Sequence, residues 1–318
     1  MGRHGTVIAL SGGIGGAKLA LGLARRLPPG DLAVVANVGD DFEHLGLAVS
    51  PDIDTLVYTL AGLADPQQGW GRAGETWTFM AALEALGGET WFRLGDGDLA
   101  MHVMRTHRLA AGTPLSEITA AACTALGIAT RVWPATDDRL RTRVRTDDGW
   151  LDFQDWFVGR RAQPAVREIA FEGAATARPL PAVLAALAAP DLRAVVICPS
   201  NPLISIGPIL AVPGLRDALA SCAAPVVAVS PLIGGRAVKG PTAAMLADLG
   251  IGATAAAVAS HYGDLLDGFV LDEADAAAAV DVGVPTLVTR TMMLSLADRE
   301  RLADDVLAFV DRIGATPA

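Results

Sequence analysis

The chain has 318 residues, 52% of them apolar, and a formal net charge of −10. That length accommodates one large α/β domain or a core with a substantial insertion. The negative balance argues against non-specific nucleic-acid binding, which needs clustered cations, and no apolar run reaches the ~20 residues of a membrane span. Cys123, Cys198 and Cys222 are widely spaced, without a CxxC pair, and read as small core residues. No cleavable leader precedes the first strand, so a cytoplasmic protein is expected.

Thr6 to Leu10 is an apolar run ending in Ser-Gly-Gly, the pattern of a buried first strand entering a tight turn. A helical pattern runs from Gly16 to Arg26 until Pro28-Pro29-Gly30 stops it, and Leu32 to Asn37 is a second buried strand. Strand–helix–strand implies a parallel pair. The loop between, Ser11-Gly12-Gly13-Ile14-Gly15-Gly16-Ala17-Lys18, lets backbone approach a ligand and puts free N–H groups at a helix start, where an anion is favoured. It is not a P-loop, because Ala17 precedes the lysine and Leu19 follows it. It also fails GxGxxG, since Lys18 stands at the third glycine, and Asn37 replaces the acid that would hold an NAD ribose.

Asn37-Val38-Gly39-Asp40-Asp41 and Ser50-Pro51-Asp52-Ile53-Asp54-Thr55 leave the carboxyl end of the second strand, facing the glycine loop. Four carboxylates so close together call for a divalent metal or solvent between them, and Mg²⁺ suits one or two carboxylates plus phosphate oxygens. The plainer alternative is that Asp52 or Asp54 caps a helix starting near Ile53.

Thr76 to Leu86, Asp98 to His107 and Pro114 to Leu126 read as helices, the last with Thr113 as N-cap. Leu94 to Ala100 lacks the oxygen spacing of a calcium loop and reads as a turn with Asp98 capping the next helix. Leu140 to Thr146 and Trp150 to Phe153 alternate around Asp148-Gly149 as a hairpin. The run Phe153 to Phe157, with Asp152, Asp155, Arg160 and Arg161, is either a ring-binding wall or a hydrophobic core with a solvated edge. Residues 61–189 are therefore expected to form an inserted, mainly helical and hairpin subdomain, with 1–60 and 190–318 as a Rossmann-like core.

Strand patterns resume at Ala194 to Cys198, Pro225 to Ser230, Gly268 to Leu271 and Pro285 to Val288, alternating with helices such as Ala243 to Leu249 and Asp298 to Ile313. The expected fold is α/β, an open and mainly parallel Rossmann-like sheet. Pro199-Ser200-Asn201-Pro202 with Ser205 to Pro208, and Pro231 to Gly235 with Lys239 to Thr242, repeat the physics of the first loop. Three such loops on one sheet edge point to a nucleotide or multi-phosphate site, with Arg236 and Lys239 to neutralise a diphosphate. The five histidines show no ligand spacing and receive no role.

SPDIDT (50–55), WFRLGDGDLA (91–100), DFQDWFVGRR (152–161), PSNPLISIGPI (199–209) and SPLIGGRAVKGP (230–241), in this order, resemble the 2-phospho-L-lactate transferase family of deazaflavin coenzyme (F420) biosynthesis. The resemblance runs from Leu10 to about Thr291. It implies a homodimer, a Mg²⁺ requirement, and transfer of a phospholactyl-type or enolpyruvyl-phosphate group from a guanosine diphosphate-linked three-carbon acid to the primary alcohol of the deazaflavin riboside (Fo), releasing GMP. It implies nucleotide contacts at Gly12, Gly13, Gly15, Gly16 and Lys18, at Ser200, Asn201, Ser205 and Gly207, and at Gly234, Gly235, Lys239 and Gly240. Asp54 then holds the acceptor, Asp52 joins it in catalysis, and Asp40 and Asp41 are the metal candidates. The family usually has arginine or lysine between the acids of GDxD, to contact the acceptor. Gly97 stands there in this chain, so either Arg93 or another nearby cation substitutes or the acceptor or donor selectivity is shifted. The rival from another class is a non-catalytic nucleotide-sugar-binding regulator of the gluconeogenesis-factor type, which needs the glycine loop but neither SPDIDT nor the SIGP block.

Overall fold

A computed structural model describes residues 5–66 and 68–315. Its centre is a seven-stranded sheet of β1 (Thr6–Ser11), β2 (Leu32–Ala36), β3 (Arg131–Pro134), β4 (Leu192–Ile197), β5 (Val226–Val229), β6 (Gly268–Asp272) and β7 (Thr286–Thr289). The order across the sheet is β3-β2-β1-β4-β5-β6-β7, and every pair is parallel. Helices cover both faces, so the central strands are apolar throughout instead of alternating; LAVVA in β2 is buried at every position. The doubly wound α/β architecture expected from the strand–helix rhythm is the observed one.

One strand lies where the sequence marks none. β3 falls inside the stretch assigned to the insertion, yet pairs with β2 from Ala33↔Arg131 to Ala36↔Pro134. Its four residues, RVWP, begin with a cation and end with a proline that cannot donate to a ladder. Such a segment hides from pattern reading and is tolerated at a sheet edge. Two connections therefore carry the extra structure. Residues 37–130 run from β2 to β3 and hold α2 (Pro51–Leu60), α3 (Thr78–Ala85), α4 (Asp96–Ala110) and α5 (Leu115–Ala125). Residues 135–191 run from β3 to β4 and hold a small antiparallel sheet. There Arg141–Thr146 pairs with Gly149–Asp152 around Asp147-Asp148, one residue before the expected turn, and with Glu168–Glu172, which the sequence had not marked.

The glycine loop is shorter than its sequence suggests, because α1 (Gly13–Arg26) already begins at Gly13. α1 packs along the C-terminal helix, Leu296–Ile313, where a Cβ on Gly22 would lie 2.2 Å from the Arg299 carbonyl oxygen. The three cysteines are free, with Cys123 and Cys198 buried. Among the described residues no single helix is long and apolar enough to cross a membrane.

The Gly22 contact is backbone against backbone, so no flexible group can yield. Gly22→Ala should lower stability by about 1–3 kcal/mol, measured as a shift of the urea midpoint at unchanged slope.

Candidate active site

The strand order places a switch point between β1 and β4, whose onward connections run to opposite sides of the sheet. A cavity of ≈ 580 Å³ opens there, outside the carboxyl ends of the strands. The loops after β1, β2, β4, β5 and β7 supply its walls, with α2, α4 and the aromatic segments at 91–92 and 153–158.

Gly12 joins the two central loops. The Ser200 hydroxyl accepts from its N–H (3.1 Å) and donates to its carbonyl (2.8 Å). A Cβ on Gly12 would meet Asp52 Oδ2 at 2.5 Å and Ser205 Cβ at 2.7 Å, and one on Gly15 would meet the Pro199 carbonyl at 2.4 Å. These glycines are therefore required by chain-on-chain contact as well as by any ligand. Gly12, Gly13, Gly15 and Lys18 line the cavity, as do Ser200, Asn201, Ser205, Lys239 and Gly240. Lys18 donates to the Met293 carbonyl and Lys239 to the Gln68 carbonyl, at 3.0 and 3.1 Å. Neither forms an ion pair among the described residues. Burial, then Arg299 and Lys239, lowers the pKa of Lys18.

The carboxylates separate into distinct environments. Asp52, in the first turn of α2, does not cap its own helix. Its Oδ1 accepts from Gly13 N–H (2.8 Å), at the start of α1, and its Oδ2 from Asn37 Nδ2 (2.9 Å). The same Asn37 amide reaches Asp40 Oδ1 (3.0 Å) and the Ile204 carbonyl (3.1 Å), so three acceptors share two hydrogens. Burial, then the charge of Asp52, raises the pKa of Asp40 well above the usual carboxylate range, and burial raises that of Asp52. Both line the cavity. An under-served carboxylate pair of this kind fits a Mg²⁺ ion that completes its shell with water and phosphate oxygens.

Asp41 does not belong with them. Its Oδ2 accepts from the Ser50 hydroxyl (2.9 Å), its Oδ1 is buried without a partner, and it lies outside the cavity lining. Sequence adjacency to Asp40 suggested a metal ligand, but the turn sends consecutive side chains opposite ways.

Asp54 is clamped by Arg105 of α4, which is 2% exposed and donates to both carboxylate oxygens and to the Ala48 carbonyl. Arg105 Nη1 also lies 3.3 Å from His102 Nδ1. A guanidinium has only donors, so Nδ1 accepts and the network assigns the ring proton to Nε2, which faces Asp98 Oδ2 at 3.2 Å. Asp98 Oδ1 accepts from the Tyr58 hydroxyl at 2.6 Å. Asp54, Asp98 and His102 each offer a ligand atom within 4.8 Å of the others, as a metal site would. The Arg105 guanidinium already provides the positive charge on Asp54, which disfavours a second cation beside it. Asp98, expected to cap a helix, instead meets Tyr58 and His102, while Asp96 accepts from the N–H groups of Thr78 and Phe79 at the start of α3. Sequence reasoning missed Tyr58, Asp98, His102 and Arg105. The signal was present in the spacing: positions 98, 102 and 105 share one face of α4.

Five glycine assignments move. Gly16 is packed under Ser11 and Ser200, and Gly207 against Phe171. The N–H groups of Gly234 and Gly235 both donate to Asp275, at 2.8 and 3.0 Å, so that turn already holds an anion of its own. A Cβ on Gly97 would come 2.8 Å from Arg72 Nη1, which donates to the Gly97 carbonyl (3.0 Å). Thus Arg72 is the cation beside Gly97, whereas Arg93, although in the lining, lies over the Trp77 ring at 4.0 Å. The aromatic run serves both expected roles. Phe153 and Phe157 stack (5.4 Å, 13°) in the cavity wall, and Trp156 is buried with its Nε1–H on the Pro164 carbonyl. Two π-helical turns, Asp155–Gly159 and Pro202–Ile206, carry wall residues, a common association of such turns with functional sites.

A family model described as 2-phospho-L-lactate transferase CofD matches residues 7–282. A phosphoenolpyruvate transferase from Streptomyces avermitilis is 42% identical over 316 residues, covering 96% of this chain and 98% of its own. The Thermobifida fusca protein of the same name is 44% identical (96% and 97% covered), and that from Mycobacterium tuberculosis 41% (97% and 98%). Among solved structures, a UPF0052-family protein from Bacillus halodurans superposes with a TM-score of 0.61 at 14% identity. The match covers 96% of this chain and 100% of the other, a likeness of fold.

Asp41 gives a measurable pH signature away from the cavity. Burial raises its pKa to about 7, so the folded state holds a proton that the unfolded chain releases near 3.8. Stability should therefore fall as pH rises from about 4 to about 7 and then level off. Asp41→Asn should flatten that decline in denaturation midpoints measured across the range.

Proposed function

The chain belongs to the 2-phospho-L-lactate transferase CofD family, and from that membership we propose that it transfers a phosphoenolpyruvate-type group from a guanosine diphosphate-linked donor to the deazaflavin Fo, releasing GMP, in coenzyme F420 biosynthesis. The relatives named phosphoenolpyruvate transferases align over nearly their whole length, which favours the enolpyruvyl donor over the lactyl one.

The observation that carries this reading is the two-ended cavity. One end has the first turn of α1 beyond Gly13, the Ser205 hydroxyl, and Lys18 and Lys239 without carboxylate partners among the described residues. It suits a nucleoside diphosphate. The other has the stacked Phe153 and Phe157, Trp91, Tyr58 and the carboxylates Asp54 and Asp98. It suits a flat ring carrying an alcohol chain. Asp40 and Asp52 lie on the same lining and would hold Mg²⁺, which, when bound, neutralises phosphate charge as it develops. Lys18 and Lys239 orient the diphosphate, and Asp54, fixed by Arg105, orients the acceptor. Phosphoryl transfer needs positioning and charge neutralisation more than a covalent nucleophile. A homodimer working in the cytoplasm completes the proposal, on the strength of the family resemblance. A regulator that only binds a nucleotide sugar has no use for the clamped acceptor carboxylate.

Incubating the protein with Fo, Mg²⁺ and enolpyruvyl- or phospholactyl-diphosphoguanosine should release GMP, faster from the enolpyruvyl donor. Absence of GMP with either donor, alongside tight nucleotide-sugar binding, would sink the transferase reading. Asp54→Ala should cut turnover by about 100-fold or more while the affinity for GDP stays near that of the parent protein.

A further inference from the structure

We propose that Asp98 is a catalytic residue, the carboxylate that accepts the proton of the acceptor's alcohol, and that Tyr58 and His102 are positioning residues that aim it. The inference rests on the transferase reading above and adds a proton acceptor to it.

Four carboxylates line the cavity, and on the proposed reading three already have tasks, Asp40 and Asp52 toward the metal and Asp54 toward the acceptor. Asp52 holds the Gly13 N–H and the Asn37 amide, Asp40 shares that amide, and both of Asp54's oxygens carry Arg105. Asp98 has no such counter-charge on its oxygens. It takes one neutral hydroxyl, from Tyr58 at 2.6 Å, and His102 Nε2 lies 3.2 Å from its other oxygen without hydrogen-bonding geometry. Each oxygen keeps a lone pair, and the side chain is 17% exposed against 7% for Asp54. Although burial alone would push its pKa up, His102, Tyr58 and Arg105 hold it below the usual carboxylate range, so it meets substrate as an anion.

The rigidity of the pair comes from two helices. Tyr58 sits on α2, one turn beyond Asp54, and its ring lies beneath the Arg72 guanidinium (5.6 Å). His102 sits on α4, one turn beyond Asp98 and 1% exposed, with Nδ1 occupied by Arg105. The charged and titratable groups facing Asp98 are therefore Tyr58 and Asp54 from α2 and His102 and Arg105 from α4. Arg105 thus fixes Asp54 and His102 at once, and His102 in turn faces Asp98.

In the step, the alcohol oxygen forms a bond to the phosphorus that carries the three-carbon acid. The bond from that phosphorus to the bridging oxygen breaks, its electron pair leaves on GMP, and the alcohol proton passes to Asp98. Water at the exposed edge of Asp98 then removes the proton.

Asp98→Asn should lower kcat by roughly 10²–10⁴-fold, with GDP affinity and the thermal midpoint near the parent values. Tyr58→Phe and His102→Gln should each lower kcat by about tenfold, more than they raise the KM for the donor, and His102→Gln should move the acid limb of the kcat–pH profile upward. If Asp98→Asn does not fold, these two variants decide. Parent-like kcat in Asp98→Asn, or in both supporting variants, overturns the proposal. A kcat loss matched by loss of GDP affinity also overturns it, because the role would then be structural. A parent protein that releases no GMP overturns the transferase reading itself, whereas a parent that turns over beside an equally active Asp98→Asn sinks only the role of Asp98.

Discussion

The whole site depends on how closely the chain passes at Gly12. The backbone there runs between two central strands and three side chains, and the Ser200 hydroxyl serves both its N–H and its C=O. Leaving a buried peptide group unpaired costs about 1–3 kcal/mol, so this hydroxyl bridge is a strong constraint on the register of the β1 and β4 loops. Once the two loops are joined, Gly13 presents its N–H to Asp52, and Asp52 draws the start of α2 against the start of α1. The cavity has its shape because the β4 loop and the start of α2 close on Gly12 and Gly13, where a side chain at Gly12 would leave no room.

From that meeting point the negative charges are handled in different ways, and the difference assigns their tasks. Asp52 is bound by backbone and amide donors, Asp54 by a guanidinium, and Asp98 by a phenol with an imidazole close by. Only the first environment leaves unmet negative charge near a second acid, Asp40, where a hard cation is useful. The second gives a fixed, neutralised anchor. In the third, the carboxylate stays anionic and reachable. Four acids in one cavity need not repel one another into disorder when three classes of donor are divided among them, Asp40 and Asp52 sharing the Asn37 amide.

Local chemistry made the core legible. Apolar runs ending in glycine and small polar residues reported buried parallel strands and their ligand-facing ends, and SPDIDT marked α2. What stayed hidden was long-range. Nothing in RVWP announces an edge strand, since pairing with β2 alone gives it that role. Glycines at 234 and 235 look like an open anion cradle until Asp275, forty residues later, is seen to fill it. The partners of Gly97 and Asp54 are arginines 25 and 51 positions away, brought there by folding. Asp98, His102 and Arg105 were the exception, because their spacing on one helix was visible. Their meaning required Asp54 to be placed opposite.

The stacked Phe153 and Phe157 of the acceptor end come from the connection that follows β3. Tyr58, Trp91, Asp54 and Asp98 come from the connection between β2 and β3, adjacent strands held by only four paired positions at the sheet's rim. Closing so long a loop has an entropic cost that must be met before the β2–β3 contacts can repay it. The donor side, formed mainly around β1, β4 and β5, has the larger share of the buried sheet. Local opening should follow the same boundary, with the rim strand and its helices exchanging amide hydrogens sooner than the centre. On the proposed reading, the ring end of the cavity opens more readily than the phosphate end, an asymmetry set by the route of the chain.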